Sequence, residues 1–308
     1  MIEELIKEQI DKWDLARNNY AALARVKIKE LMVNNCLYKV QFNPARIISS
    51  AAKVDVQSIK RRKCFLCTEN IPSQQTVLSV VDHYNILVNP FPIFPKHITI
   101  PDIKHLPQRI LLRFNDMLGL AYMLKDFVVF YNGPKCGASA PDHAHFQACN
   151  KDFLPLEEDW EQHKAGCVAQ MEGGKIWQLD DAPRTTLIIE AKKTEAAMTL
   201  FTAIYDALPL KKDDDEPMMN LLAWYDQERW IICVFPRAMH RPSCYTAVGD
   251  KNMLISPASI DLGGIFITPL EKDFDKITAG DINCILQEVC LSPQDIEIVK
   301  QKIKARLL

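Results

Sequence analysis

The residues best suited to chemistry lie between Tyr131 and Gln147, where Asn132-Gly133-Pro134-Lys135-Cys136-Gly137-Ala138-Ser139 runs on to His143-Ala144-His145-Phe146-Gln147. Positions i, i+2 and i+4 of an extended strand share a face, so a strand here sets His143, His145 and Gln147 side by side. Neutral imidazole is nucleophilic near pH 7 and can attack phosphorus to form a phosphoramidate. An amide beside it can donate a hydrogen bond to an oxygen on which charge accumulates. The same triplet also fits two histidines and an amide on the wet face of an ordinary strand, and its surroundings must decide.

Those surroundings are bounded by composition. The 308 residues suffice for one large domain or two ordinary ones, and 48% hydrophobic with 25% charged residues is the balance of a folded soluble protein. A net charge of -2 and a pI near 6.4 give no basic field, which argues against bulk binding to nucleic acid or an anionic membrane. No apolar run reaches membrane-spanning length, and Met1-Ile2-Glu3-Glu4 opens a charged helix rather than a signal peptide, so the expected location is cytoplasmic. The ten cysteines are then expected to be reduced. Cys64 and Cys67 stand apart because C-x2-C is the spacing at which two thiolates converge on one tetrahedral ion; a redox pair or coincidence fits equally until two further ligands are found.

The elements that must position the motif are legible from periodicity. Helical spacing of apolar residues predicts one helix over 3–23, alternation predicts strands over 24–29 and 37–42, and Asn34-Asn35 supplies the turn between them. Lys60-Arg61-Arg62-Lys63 is read first as a solvated face and second as a screen for substrate phosphates. Strands are expected over 76–81 and 84–88, then a short one flanked by His97 and His105, then a helix from about Pro107 to Leu124, then Phe127–Tyr131 feeding the loop. The second half repeats the pattern: a hairpin turned at Gly173-Gly174, a strand over 185–190, a helix over 194–207 and a hairpin over 219–235. Asp213-Asp214-Asp215-Glu216 reads as a mobile surface loop, and two amphipathic helices close the chain. This is an α+β protein, mostly antiparallel sheet flanked by helices.

Taken in order, C-x2-C, His97 and His105 eight apart, the Asn/Gly/Ser loop and H-x-H-x-Q resemble the nucleotidyltransferase and phosphorylase branch of the histidine-triad superfamily. That branch includes galactose-1-phosphate uridylyltransferase, diadenosine tetraphosphate phosphorylase and plant GDP-L-galactose phosphorylase. The resemblance implies two fused histidine-triad-like halves: residues 1–160 carrying the motif and knuckle, and residues 161–308 as a degenerate copy that completes the substrate site. It implies His145 as the nucleophile and Gln147 as support for the transferred phosphate. Asn132, Gly133, Gly137 and Ser139 would cradle phosphate oxygens, with Lys135 as an added donor; His97 is read either as lying near the nucleotide or as a structural partner for another histidine or a backbone carbonyl. A structural zinc would be held by Cys64, Cys67, His105 and His143, a closed shell with no site for water. Asp142 departs from the pattern and is expected either to orient an imidazole or to face solvent. Arg237, His240 and Arg241 are read first as phosphate or sugar contacts and second as surface salt bridging. Ser256–Ile267 shows a weak likeness to a glycine-bearing segment of the GDP-hexose phosphorylases.

The implied activity is double displacement on a nucleoside diphosphate sugar, with a phosphate-bearing acceptor resolving a nucleotidyl-histidine. The alternatives are a dinucleoside polyphosphate phosphorylase, or a zinc-stabilised nucleotide-binding protein without turnover. Relatives suggest a homodimer, on which the residues themselves are silent.

Overall fold

The structure is a computed structural model describing residues 1–81, 83–181 and 184–307. Its strands are β1 (Lys27–Val33), β2 (Cys36–Phe42), β3 (Leu78–Val81), β4 (Tyr84–Val88), β5 (His97–Pro101), β6 (Phe127–Asn132), β7 (His145–Asn150), β8 (Lys164–Met171), β9 (Gly174–Leu179), β10 (Leu187–Ala191), β11 (Met219–Asp226), β12 (Arg229–Pro236) and β13 (Ile265–Thr268). Ten of them form one sheet in the order β3-β4-β5-β7-β6-β11-β12-β10-β9-β8, with every neighbouring pair antiparallel. Read from either edge to the centre, each half runs through its first, second, third, fifth and fourth strands. In each half a helix follows the third strand, Phe114–Met123 in one and Thr194–Ala207 in the other. The two fused halves are therefore one topology used twice, joined where β6 pairs with β11.

The central strands are apolar on both faces because both faces are covered. Val129, Tyr131, Leu221, Ala223, Ile232 and Val234 pack under the helices Phe114–Met123, Thr194–Ala207 and Pro293–Leu307. Their neighbours Val128, Phe130, Leu222, Ile231 and Cys233 point the other way, into a second core with Tyr38, Val40, Phe266 and the helix Ala279–Val289. That second layer contains the sheet β1-β2-β13, in which β13 runs parallel to β2. His145 and Gln147 lie on the face of β7 opposite to Phe146 and Ala148, so they look into the gap beneath this layer.

Three local expectations are corrected. The helix over 3–23 is two helices, Ile2–Lys12 and Asp14–Leu23, because Trp13 takes an extended backbone (φ -122, ψ 107). Pro107 lies in irregular chain, and helix begins only with a 3-10 turn at Leu111–Arg113. The acidic stretch is tied down: Glu216 is buried, accepting from Ile110 N–H at 2.8 Å and from the Tyr131 hydroxyl, while Asp215 pairs with Arg109 and Asp214 with Lys135. Among the described residues no helix is long and apolar enough to cross a membrane.

Candidate active site and metal centre

The knuckle and the histidines meet in space. One ligand atom from each of Cys64, Cys67, His105 and His143 lies within 4.8 Å of the others, a set able to hold a metal ion. Cys64 Sγ is 3.3 Å from His143 Nδ1, and Cys67 Sγ is 3.1 Å from His105 Nδ1. The far nitrogens define the tautomers. His143 Nε2 lies 2.7 Å from the Asp102 carbonyl, which can only accept, so its proton sits there and the Nδ1 lone pair faces the thiols. His105 Nε2 faces Asp142 Oδ2 at 3.7 Å, and Asp142 Oδ1 pairs with Arg62 at 2.7 Å. The residue that departs from the family pattern thus steadies one imidazole of the cluster. Burial, and then the neighbouring Cys64, push the Cys67 thiol up, so the two sulfurs do not ionise together unaided; a cation between them removes that conflict.

His143 precedes β7 and turns to the knuckle, whereas His145 and Gln147 line a cavity of about 640 Å³; the expectation of one shared face holds for the latter two alone. His145 Nδ1–H donates to the His143 carbonyl at 2.8 Å, leaving the Nε2 lone pair without a partner among the described residues. Burial holds this imidazole down at about 4, neutral at pH 7. A ring so buried and so oriented offers an unprotonated nitrogen to the cavity from a fixed mount.

The amide beside it is fixed through His97, which the structure places behind the cavity wall: it is fully buried, and it does not line the cavity. Ile93 N–H donates to His97 Nδ1 at 3.2 Å, so the ring carries its proton on Nε2 and donates it to Gln147 Oε1 at 3.0 Å. Asn89 Nδ2 donates to the same oxygen at 3.3 Å. With Oε1 occupied from behind, Gln147 presents its NH2 to the cavity. Burial drives His97 down to about 3, which keeps it in this neutral, single-donor form.

Asn132 is set in the same manner by the second half of the chain. Its Oδ1 accepts from Ser259 N–H at 2.9 Å and Asn220 Nδ2 at 2.9 Å, which turns its NH2 toward the cavity it lines. Gly137 (φ +93) and Ser139 also line the cavity; a Cβ at Gly137 would stand 2.6 Å from that of Ala258. Gly133 does not line it. Its role is close approach, since a Cβ there would lie 2.7 Å from the Met219 carbonyl. Lys135 is drawn off by Asp214.

Of the predicted basic cluster, His240 and Arg241 line the cavity and Arg237 does not. Arg237 is buried and spends its N–H groups on the carbonyls of Val289, Pro257, Met239 and His240 and on Asn220 Oδ1, a framework role that leaves none for substrate. His240 is lowered to about 4 by burial and then by Arg241 and Arg237. In the basic run, Lys60, Arg61 and Lys63 are exposed, but Arg62 turns in to line the cavity and stacks on Phe65. Arg46, Asn89, Asn220 and Ser259 do not stand out as site residues in the sequence, because isolated Arg, Asn and Ser residues gain meaning only from partners far along the chain.

A buried histidine with a bare Nε2, a donor amide beside it and a cationic cavity in front meet on a duplicated antiparallel sheet. Residues 5–150 match a domain family of unknown function (DUF4922), and residues 160–308 match the family described as GDPGP1-like, C-terminal domain. Comparison with curated protein sequences gives no match. The crystal structure of yeast Ap4A phosphorylase Apa2 in complex with AMP is similar with a TM-score of 0.61 at 18% identity, over 95% of this chain and 98% of that one. The same yeast protein in complex with Ap4A gives 0.55 at 17% identity, over 91% and 97%. Residues 160–308 thus carry a GDPGP1-like C-terminal domain, and the chain as a whole shares the fold of yeast Ap4A phosphorylase.

Proposed function

We propose that this protein is a nucleotide phosphorylase or nucleotidyltransferase that splits a nucleoside diphosphate sugar through a nucleotidyl group carried on His145. The observation that carries the reading is the His145 ring itself, with Nδ1–H committed to the His143 carbonyl and Nε2 bare on the cavity. The Nε2 lone pair attacks the alpha phosphorus, the bond from that phosphorus to the bridging oxygen breaks, and sugar 1-phosphate leaves with the electron pair. No base is required, because the ring enters neutral and keeps its Nδ1 proton. The imidazolium character it acquires is steadied by the carbonyl that accepts that proton. An acceptor phosphate oxygen then attacks the same phosphorus, the P–N bond breaks, and nucleoside diphosphate is released from a neutral histidine. Gln147 and Asn132 supply N–H groups to the equatorial oxygens, with the Ser139 hydroxyl and the 137–139 segment of the loop.

Charge supports a sugar nucleotide. Of the lining cations Arg62 is ion-paired with Asp142 and Arg46 is offset at longer range by the buried Asp261, while Lys53 and Arg241 make no ion pair among the described residues. That charge suits a diphosphate better than a tetraphosphate. The second reading, a dinucleoside polyphosphate phosphorylase, is favoured by the shared fold with yeast Ap4A phosphorylase. A binder without turnover has no use for the bare Nε2. Cys64, Cys67, His105 and His143 would hold zinc, which would supply no reaction chemistry and would tie the knuckle to the catalytic strand.

The test is turnover of alpha-labelled GDP-, UDP- and ADP-glucose with inorganic phosphate, beside diadenosine tetraphosphate with phosphate. Release of glucose 1-phosphate supports the first reading and ATP plus ADP the second, while absence of both products with every donor refutes the enzyme reading.

A further inference from the structure

The ladder between β6 and β7 pairs Phe127 with Asn150, Val128 with Cys149, Val129 with Ala148 and Phe130 with Gln147, and goes no further. Continued two residues, that register sets Asn132 directly opposite His145. At this place the chain inserts a side chain. The amide of Gln108, itself buried, accepts from His145 N–H at 2.8 Å and donates through Nε2 to the carbonyls of His145 and Asn132, each at 3.0 Å. Its donors and acceptor replace the exchange that the two residues would otherwise make with each other. The wedge is anchored in turn, because Gln108 N–H donates to the Pro141 carbonyl at 3.1 Å and Ala144 N–H to the Leu106 carbonyl at 2.6 Å.

We infer that Gln108 is the positioning residue that sets the separation between nucleophile and phosphate-binding amide in this reaction. The inference rests on the function proposed above. Were Asn132 and His145 directly paired, their backbones would close to ordinary ladder spacing. An interposed amide holds them apart at the wall of the cavity, where a phosphoryl group must fit between His145 Nε2 and the Asn132 NH2. No side chain other than a primary amide can accept one N–H and donate to two carbonyls from one planar group at that reach. Glutamate would accept from His145 N–H but set a carboxylate against two carbonyl oxygens, and methionine would fill the space with no hydrogen bond.

The experiment compares the full-length protein with Gln108→Glu and Gln108→Met in single-turnover labelling by whichever alpha-labelled donor the wild type accepts. His145→Ala serves as the blank, and the rate is expressed per folded molecule. Affinity for the corresponding nucleoside monophosphate is measured in parallel by thermal shift. Both variants are expected to label roughly 100-fold more slowly, the loss typical of an ångström-scale misplacement of reacting groups, with monophosphate affinity within about threefold of wild type. A residue that only supported the fold would lower the folded fraction without changing the rate per folded molecule. Labelling by either folded variant within threefold of wild type overturns the inference and leaves the proposed function standing. A wild type that takes up label from no donor overturns both.

Discussion

Replacement of His97 by leucine separates the support of the active site from its chemistry. The ring is fully buried and makes two assignable hydrogen bonds, from Ile93 N–H at 3.2 Å and to Gln147 Oε1 at 3.0 Å. Leucine fills much of the space and makes neither. A buried N–H left without an acceptor costs about 1–3 kcal/mol, so the denaturation midpoint is expected to fall by the equivalent of about 2 kcal/mol. Gln147 keeps Asn89 behind its oxygen at 3.3 Å but loses a bond whose net worth is about 1 kcal/mol, so the labelling rate is expected to fall roughly fivefold. Gln147→Ala, which deletes the donor outright, is expected to cost about 10²–10³ in rate. The double variant is the most informative. If His97 acts through Gln147, His97→Leu in the Gln147→Ala background costs stability again but no further rate, a coupling that a double-mutant cycle isolates. Full multiplication of the two rate effects would refute the relay and return His97 to a separate contact with the nucleotide.

The protein as purified is expected to carry one zinc per chain by elemental analysis, and chelation is expected to lower its melting temperature. A metal-free preparation with an unchanged melting temperature would refute the structural role of the cluster. Stability is expected to fall in mild acid. His97 titrates at about 3 in the folded chain and at about 6.5 when unfolded, so between those values the unfolded state binds the extra proton. From pH 7 to pH 5 this one group is expected to cost about 2 kcal/mol, and His97→Leu should flatten the urea-measured profile by that amount. Gly137→Ala combines a left-handed backbone with a Cβ 2.6 Å from that of Ala258; it is expected to destabilise by about 1–3 kcal/mol and to weaken nucleotide binding, read by thermal shift with and without ligand.

What could be read from sequence divides along a physical line. Strand and helix positions were accessible because apolar periodicity reports burial: the helix Thr194–Ala207 and the hairpin of β11 and β12 fall where the pattern sets them. Of the four residues able to hold a metal, Cys64 and Cys67 were accessible from their spacing, whereas His105 and His143 were reached only through the family resemblance. Gln108, Asn220 and Ser259 were not, since an amide or hydroxyl declares its purpose only through partners brought from elsewhere by the fold. Arg237 shows the converse. A guanidinium beside His240 and Arg241 looks like a phosphate contact, yet the carbonyls of Met239 and His240 in the bend after β12, with those of Val289 and Pro257 from elsewhere in the chain, take its donors. Trp13 breaks the N-terminal helix without a proline or glycine to announce it.

The most direct measurement is mass spectrometry of the protein quenched at neutral pH after mixing with GDP-, UDP- or ADP-glucose in the absence of acceptor. The peptide containing His145 is expected to gain the mass of one nucleoside monophosphate less water, to lose it on brief acid treatment, and to show no gain in His145→Ala. Wild-type protein that turns over one of these donors while that peptide stays unmodified, or carries the nucleotide on another residue, would contradict the assignment of His145 as the nucleophile.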